Sequence, residues 1–150
     1  MRHYPHLADL RTRVGDEIGL SDWVTVDQAR IDLFADATGD HHWIHTDPQR
    51  AAAGPFGTTV AHGFLTLSLI AELAATAFAV GDERIVVNYG LNRVRFPAPV
   101  PAGSRLRGRF RLLAFEPIDG GAQVTTEVTV ERDGHDKPVC VAESVTRRYT

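Results

Sequence analysis

The stretch GDHHWIHTDP, residues 39–48, concentrates side chains that can exchange protons, with three histidines and two aspartates. Asp40 and His45 lie five positions apart. Two groups that can each donate or accept a proton, brought to one point, suit the addition or removal of water. Asp40 and His45 are therefore candidates for a catalytic acid/base pair. A solvated loop without chemistry is the alternative that their spacing alone leaves open.

A metal site is a second possible chemistry for this stretch, because every acidic and imidazole side chain in it carries ligand atoms. The candidate ligands are Asp40, His41, His42, His45 and Asp47. Histidine ligands commonly come from helical i, i+4 pairs or from hairpins, and this spacing is neither. No Cys or Glu lies nearby. We predict no metal here.

Helices on both sides are expected to position the stretch. Residues 25–28, TVDQ, have the pattern of a capping box, and the apolar residues that follow recur on one helical face as far as Thr38. Gly39 is expected to end this helix. Asp47 and Pro48 are typical of the cap and first position of a short helix through Ala53. The pattern predicts that Asp40 and His45 lie in a loop between two helices.

A second stretch, residues 56–68, leads through His62 and Gly63 into an apolar segment. Residues 62–80 are hydrophobic on every face, which predicts a central helix buried all round. The N–H groups at the start of such a helix are unpaired and can bind a developing oxyanion. Gly63 would let a ligand approach this backbone closely. Easier helix packing is an equally good reason for Gly63 taken alone.

Period-two alternation follows the helix and predicts strands over 84–96, 104–115, 123–132 and 138–149, with a fifth over 18–24. Successive strands without intervening helices must be antiparallel, so we predict an α+β fold in which a sheet wraps around one long helix. Arginines occupy the odd positions from 105 to 111, and the glutamates of the next strand, Glu127 and Glu131, also lie at odd positions. An arginine can lie opposite a glutamate in an antiparallel pair only if the two residue numbers add to an even sum. This register predicts a three- or five-residue loop, or a bulge, near 119–121. We expect an ion-paired face rather than a phosphate site.

Composition limits the function classes. Sixteen basic and nineteen acidic side chains give a net charge of −3, which predicts no nucleic-acid or membrane partner. The only cysteine, Cys140, cannot form an intramolecular disulfide, and residues 1–17 lack the apolar run of a signal peptide. We expect a cytoplasmic protein of one domain spanning 1–150.

Three stretches together resemble the successive signatures of the MaoC-like dehydratases, the hot-dog-fold group that includes (R)-specific enoyl-CoA hydratases. They are FADATGDHHWIHTDPQRA (34–51), FGTTVAHGFLTLSLI (56–70) and GLNRVRFPAPVPAGSRLR (90–107). The resemblance implies a hot-dog fold, commonly dimerised through its sheet. It also implies that Asp40 and His45 activate water, while Gly63 N–H holds the thioester oxygen as an oxyanion hole. Arg95, in the third motif, is expected to stabilise its strand, with contact to a ligand phosphate as the alternative role.

The family pattern has Asn-Pro where this chain has His42 and Trp43. This departure resembles the subgroup named after the nodulation protein NodN, and it leaves Asp40 and His45 in place. The resemblance implies hydration of a trans-2-enoyl-CoA to the (R)-3-hydroxyacyl-CoA, with a coenzyme A thioester as substrate, no cofactor, and a homodimer as the assembly. Alternatives are a hot-dog acyl-CoA thioesterase and a non-catalytic acyl-thioester-binding subunit.

Overall fold

Long antiparallel strands build the main sheet of the protein, whose computed structural model describes residues 1–150. In chain order the strands are β1 (Arg2–Tyr4), β2 (Glu17–Leu20), β3 (Val24–Val26), β4 (Phe78–Val80), β5 (Ile85–Arg95), β6 (Ser104–Ile118), β7 (Gly121–Arg132) and β8 (His135–Tyr149). The main sheet has the order β2-β6-β7-β8-β5, and β3 also pairs with β6. All four long strands are therefore as predicted, whereas the fifth is divided into β2 and β3.

The register between β6 and β7 confirms the even-sum prediction, because Arg107 lies opposite Glu131. The predicted position of the irregularity was wrong. The turn at 119–120 has only two residues, with Gly120 at a φ of 71°. The bulge lies instead within β6, where the register shifts at Leu113. The two-residue turn alone would place arginines of β6 opposite valines of β7. The one extra residue at the bulge shifts the pairing so that arginines lie opposite glutamates.

The arginine row of β6 is ion-paired. Glu131 accepts hydrogen bonds from Arg107 Nε at 2.7 Å and Arg109 Nε at 3.1 Å, and Arg109 also pairs with Glu17 of β2. Burial alone would raise the pKa of Glu131, but the two arginines outweigh it and lower that pKa. This face therefore has the structural role that we expected of it.

The central helix consists of α4 (Gly63–Ser68) and α5 (Ile70–Ala77), joined at Leu69. Leu65, Leu69 and Leu73 pack into the hydrophobic core against the sheet. Two predictions were wrong here. The helix ends at Ala77 because Phe78 turns into extended backbone and begins β4, which pairs in parallel with β1. The helix is also not enclosed on every side, since one face of it is exposed.

A 3-10 helix (Leu7–Arg13) and three short α-helices precede the central one: α1 (Gln28–Thr38), α2 (Trp43–Thr46) and α3 (Pro48–Ala52). Asp27, and not Thr25, caps α1, because the Asp27 carboxylate accepts from the N–H of Arg30. Thr25 lies in β3. Asp47 caps α3 with Pro48 at its first position, as predicted. No helix of the protein is both long enough and apolar enough to cross a membrane.

Candidate active site

Asp40 is positioned by the end of α1. Gly39 adopts a left-handed conformation with a φ of 76°, and its N–H donates to Ala35 O at 2.8 Å. This cap turns the chain sharply after the helix, as the sequence predicts. The Asp40 side chain is about half exposed, at 54%. Its carboxylate is therefore accessible to a substrate arriving from solvent.

His45 lies within the short helix α2 and not in a loop, which corrects the expected setting of this residue. It is 8% exposed, and its Nδ1 lies 2.6 Å from Val60 O. Because a carbonyl only accepts, Nδ1 must carry the proton, and Nε2 keeps its lone pair when the ring is neutral. Gln28 of α1 fixes the main chain here by donating to His45 O at 2.7 Å.

The pKa of His45 is lowered from its ordinary value of 6.5. Burial is the main cause, and the neighbouring imidazoles of His62 and His42 act in the same direction. The hydrogen bond to Val60 and the charge of Asp40 oppose the change without reversing it. A neutral imidazole with a free nitrogen is therefore the dominant form at neutral pH, which is what a general base requires.

The structure brings Asp40 and His45 together with a third residue, His62. One nitrogen or oxygen from each of the three lies within 4.8 Å of the others. The His62 ring stacks on the His45 ring with centroids 3.8 Å apart, and its Nε2 donates to Asp40 O at 2.9 Å. His62 therefore supports both members of the predicted pair. Its Nδ1 is buried without a hydrogen-bond partner.

The sequence indicates His62 only as the residue before Gly63 at the start of the central helix. Its separation of 17 positions from His45 gives no periodic signal that the two rings are stacked. The available signal was that a histidine stands directly before an apolar helix, where a cap residue such as Ser or Asp is usual. His62 is indeed the N-cap of α4 without a capping hydrogen bond from its side chain.

Gly63 is the first residue of α4, so no helical carbonyl is available to its N–H. A Cβ at this position would lie 3.2 Å from the ring of Phe96. The close approach of Phe96 is thus one structural reason for glycine, alongside the predicted contact with an oxyanion. Arg95, next to Phe96, donates to Val94 O at 2.7 Å within its own strand.

The other candidate ligands of the stretch have structural contacts. His41 lies 3.6 Å from Asp36, and Asp47 caps α3. His42 is the N-cap of α2. Asp40, His45 and His62 are close enough together for one metal ion to reach all three, and each histidine there uses one nitrogen as a donor to a main-chain carbonyl.

Trp43, which stands in place of the family's proline, packs against the short helices. A Cβ on Gly54 would lie 2.9 Å from its ring, and the Arg50 guanidinium lies 4.5 Å from the ring centroid. The His42-Trp43 departure therefore builds the start of α2 and its contact with α3, and it leaves Asp40, His45 and His62 together.

Comparison with known proteins identifies the family of the chain. The sequence profile of the MaoC like domain matches residues 9–134. The chain is 54% identical over 148 residues to 3-hydroxyacyl-thioester dehydratase Z of Mycobacterium tuberculosis, covering 98% of both chains. It is 49% identical over 147 residues to nodulation protein N of Rhizobium leguminosarum bv. viciae, covering 96% of this chain and 91% of that protein.

Among solved structures, the (R)-hydratase PhaJ1 of Pseudomonas aeruginosa superposes with a TM-score of 0.74 at 24% identity, covering 97% of this chain and 86% of that one. The (R)-hydratase of A. caviae gives 0.71 at 22% identity, covering 89% and 94%. These two likenesses establish the fold, and the profile and the close relatives establish the family. The chain belongs to the MaoC-like dehydratase family and has its hot-dog fold.

Proposed function

We propose that this protein, a hydro-lyase of the MaoC-like family, adds water reversibly across the trans-2 double bond of an enoyl-CoA to give the (R)-3-hydroxyacyl-CoA. The observation that carries the proposal is the convergence of Asp40 with the neutral, partnered imidazole of His45. The close relative named 3-hydroxyacyl-thioester dehydratase Z supports the same reaction class.

In the hydration direction, His45 Nε2 accepts a proton from a water molecule that Asp40 helps to hold. The water oxygen bonds to C3 while the C2–C3 double bond opens toward the thioester carbonyl. A proton delivered from the same pair then bonds to C2, so that one water molecule is consumed and the pair returns to its starting state. The hydrogen bond from His45 Nδ1 to Val60 O keeps Nε2 available for this transfer.

Gly63 N–H, at the start of α4, holds the thioester oxygen as the carbonyl gains enolate charge. A single preorganised donor of this kind contributes about 3 kcal/mol to a transition state. His62 holds the ring of His45 by stacking and the Asp40 loop by its hydrogen bond, so it is a positioning residue.

The proposed assembly is a homodimer formed through β5. This strand lies at one end of the main sheet, and ten of its eleven residues are exposed. Ile85, Val87 and Tyr89 are 59%, 44% and 57% exposed. An apolar edge strand of this length is suited to pairing with a second copy, which would extend the sheet.

The test is the loss of enoyl-thioester absorbance with crotonyl-CoA and a longer 2-enoyl-CoA, using wild type, Asp40→Ala and His45→Ala. We expect turnover in the wild type alone, without release of free thiol and with the (R) product on chiral analysis. Release of thiol would identify the thioesterase alternative. Tight binding of acyl-CoA without any turnover would identify the binding subunit.

A further inference from the structure

A cavity of about 590 Å³ lies between the central helix and the main sheet. This volume is within the range of small-molecule sites. On the helix side the cavity is lined by small residues, Ala71, Ala74 and Ala75. The cavity also reaches Leu67, which is one helical turn from Gly63 on the same face. The cavity therefore begins one helical turn from Gly63, where the proposed function places the thioester oxygen, and follows the helix away from it.

The sheet side of this cavity carries a group of hydroxyl and amide side chains among apolar ones such as Phe110 and Val128. Thr126 of β7 lies opposite Ser144 of β8, and Asn88 of β5 lies opposite Thr146. All four line the cavity. The side chains of Thr126, Ser144 and Asn88 form no hydrogen bond with the rest of the chain, yet none is sealed away from a ligand.

An ion pair lies at the end of the cavity near Phe78. Arg148 Nη1 donates to Glu83 at 2.6 Å, and Arg148 Nε donates to Thr146 Oγ1 at 3.3 Å. The Arg148 side chain is only 9% exposed, and both charged residues line the cavity. The Nη2 group has no hydrogen-bond partner in the chain, so its N–H donors are free to bind a ligand atom that reaches Arg148. Because Glu83 already neutralises Arg148, the pair attracts a neutral acceptor more than an anion.

We propose that this cavity selects acyl groups that carry a neutral oxygen, a hydroxyl or an oxo group, beyond the reacting carbons. The inference rests on the proposed function, which places the thioester oxygen at Gly63, one helical turn from the cavity. A hydrocarbon tail would cover Thr126, Ser144 and Asn88 without giving their polar groups a partner, and desolvated polar groups without partners are costly. An oxygenated tail supplies that partner. The polar wall formed by Thr126, Ser144 and Asn88 therefore discriminates between tails of similar shape.

The experiment measures Kd by isothermal titration calorimetry for octanoyl-CoA, its ω-hydroxy derivative and suberoyl-CoA, which ends in a carboxylate. We expect wild type to bind the hydroxy derivative about tenfold more tightly than octanoyl-CoA, the effect of one added hydrogen bond. Suberoyl-CoA should gain no such advantage. Equal affinity for octanoyl-CoA and its hydroxy derivative would overturn the inference.

The double variant Thr126→Val/Ser144→Ala should lose the preference while keeping its melting temperature, because neither hydroxyl bonds to the chain. Thr125→Val is the matched control, since Thr125 is adjacent on β7 but points to the opposite face of the sheet. It should keep the preference. A double variant that retains the full preference would also overturn the inference.

These saturated thioesters bind without reacting, so the result does not depend on turnover. Activity on crotonyl-CoA with no binding preference would leave the proposed function standing and reject the polar selection. A binding preference without hydration would support the selection and reject the hydratase. Absence of binding by all three thioesters would overturn the inference.

Discussion

At the scale of the residue, the two nitrogens of His45 have different tasks. Nδ1 is held by Val60 O, and Nε2 is left for the reaction. Replacing His45 by alanine would remove both, and leaving the buried carbonyl of Val60 unpaired costs about 1–3 kcal/mol. His45→Asn separates the two, because its amide N–H takes the place of Nδ1 while nothing replaces Nε2. We expect hydration to fall by about 10²–10⁴-fold with little change in melting temperature. A variant that kept wild-type turnover would exclude His45 as the base.

The lowered pKa of His45 predicts the shape of the pH profile. The base must be neutral, so kcat/KM for hydration should be constant near neutral pH and fall as the pH decreases through the His45 pKa, below 6.5. The charge of Asp40 raises this pKa. Residual activity in Asp40→Asn should therefore decline at a still lower pH than in wild type. A wild-type midpoint above 6.5 would contradict the environment described for His45.

The site residues that are close together in the sequence could be predicted from it, whereas contacts between residues far apart in the sequence could not. Asp40 and His45 were identifiable because the chain places them five positions apart beside a glycine that ends a helix. His62 was not identified as part of the site, since its stacking on His45 depends on how α4 meets α2. The polar wall was visible only in part: Thr126 interrupts the run of valines facing the helix, but its neighbour Ser144 becomes adjacent through strand pairing.

At the scale of the element, local patterns predicted the strands and the ends of most helices. The sequence indicated the bulge at Leu113 only through the alternation of arginines on β6 and glutamates on β7. That alternation shows that one extra residue is needed between the paired positions, but it does not show where the residue lies. No sequence signal marked the end of the central helix at Ala77. Residues Phe78 to Val80 are as apolar as the helix before them, and they form β4 only by pairing with β1. The partial exposure of this helix likewise depends on which elements pack against it, and the amino-acid composition of the helix does not predict that.

The burial of the central helix can be tested with one substitution made at two sites. Leu69→Asp places a carboxylate at a position that is 6% exposed, whereas Leu33→Asp makes the same change in α1 where the side chain is 70% exposed. An unpaired buried charge is very costly, so Leu69→Asp should lower the free energy of unfolding by roughly 4 kcal/mol or more. Leu33→Asp should change it by about 0.5 kcal/mol at most. Urea denaturation followed by circular dichroism measures both. Similar stability in the two variants would refute the core position of Leu69.

At the scale of the whole molecule, β5 is anomalous as a free edge. Its apolar residues are exposed on both faces of the strand. Two aromatic residues outside the strand are also exposed, Phe64 at 71% and Phe96 at 42%. Natural proteins protect such edges against uncontrolled pairing. The proposed second copy would cover the edge of β5 that does not pair with β8.

Charge introduced on this edge should therefore separate the two copies. Sedimentation velocity is expected to give a wild-type mass twice the 16.5 kDa of one chain. Val87→Lys places an ammonium group within the apolar strand and should shift the distribution toward the monomer. Val14→Lys makes the same change at a position that is 49% exposed but outside β5, so it should remain dimeric. A monomeric wild type, or a fully dimeric Val87→Lys, would show that β5 is not the interface, because an unpaired lysine cannot be buried there without a large cost in association free energy.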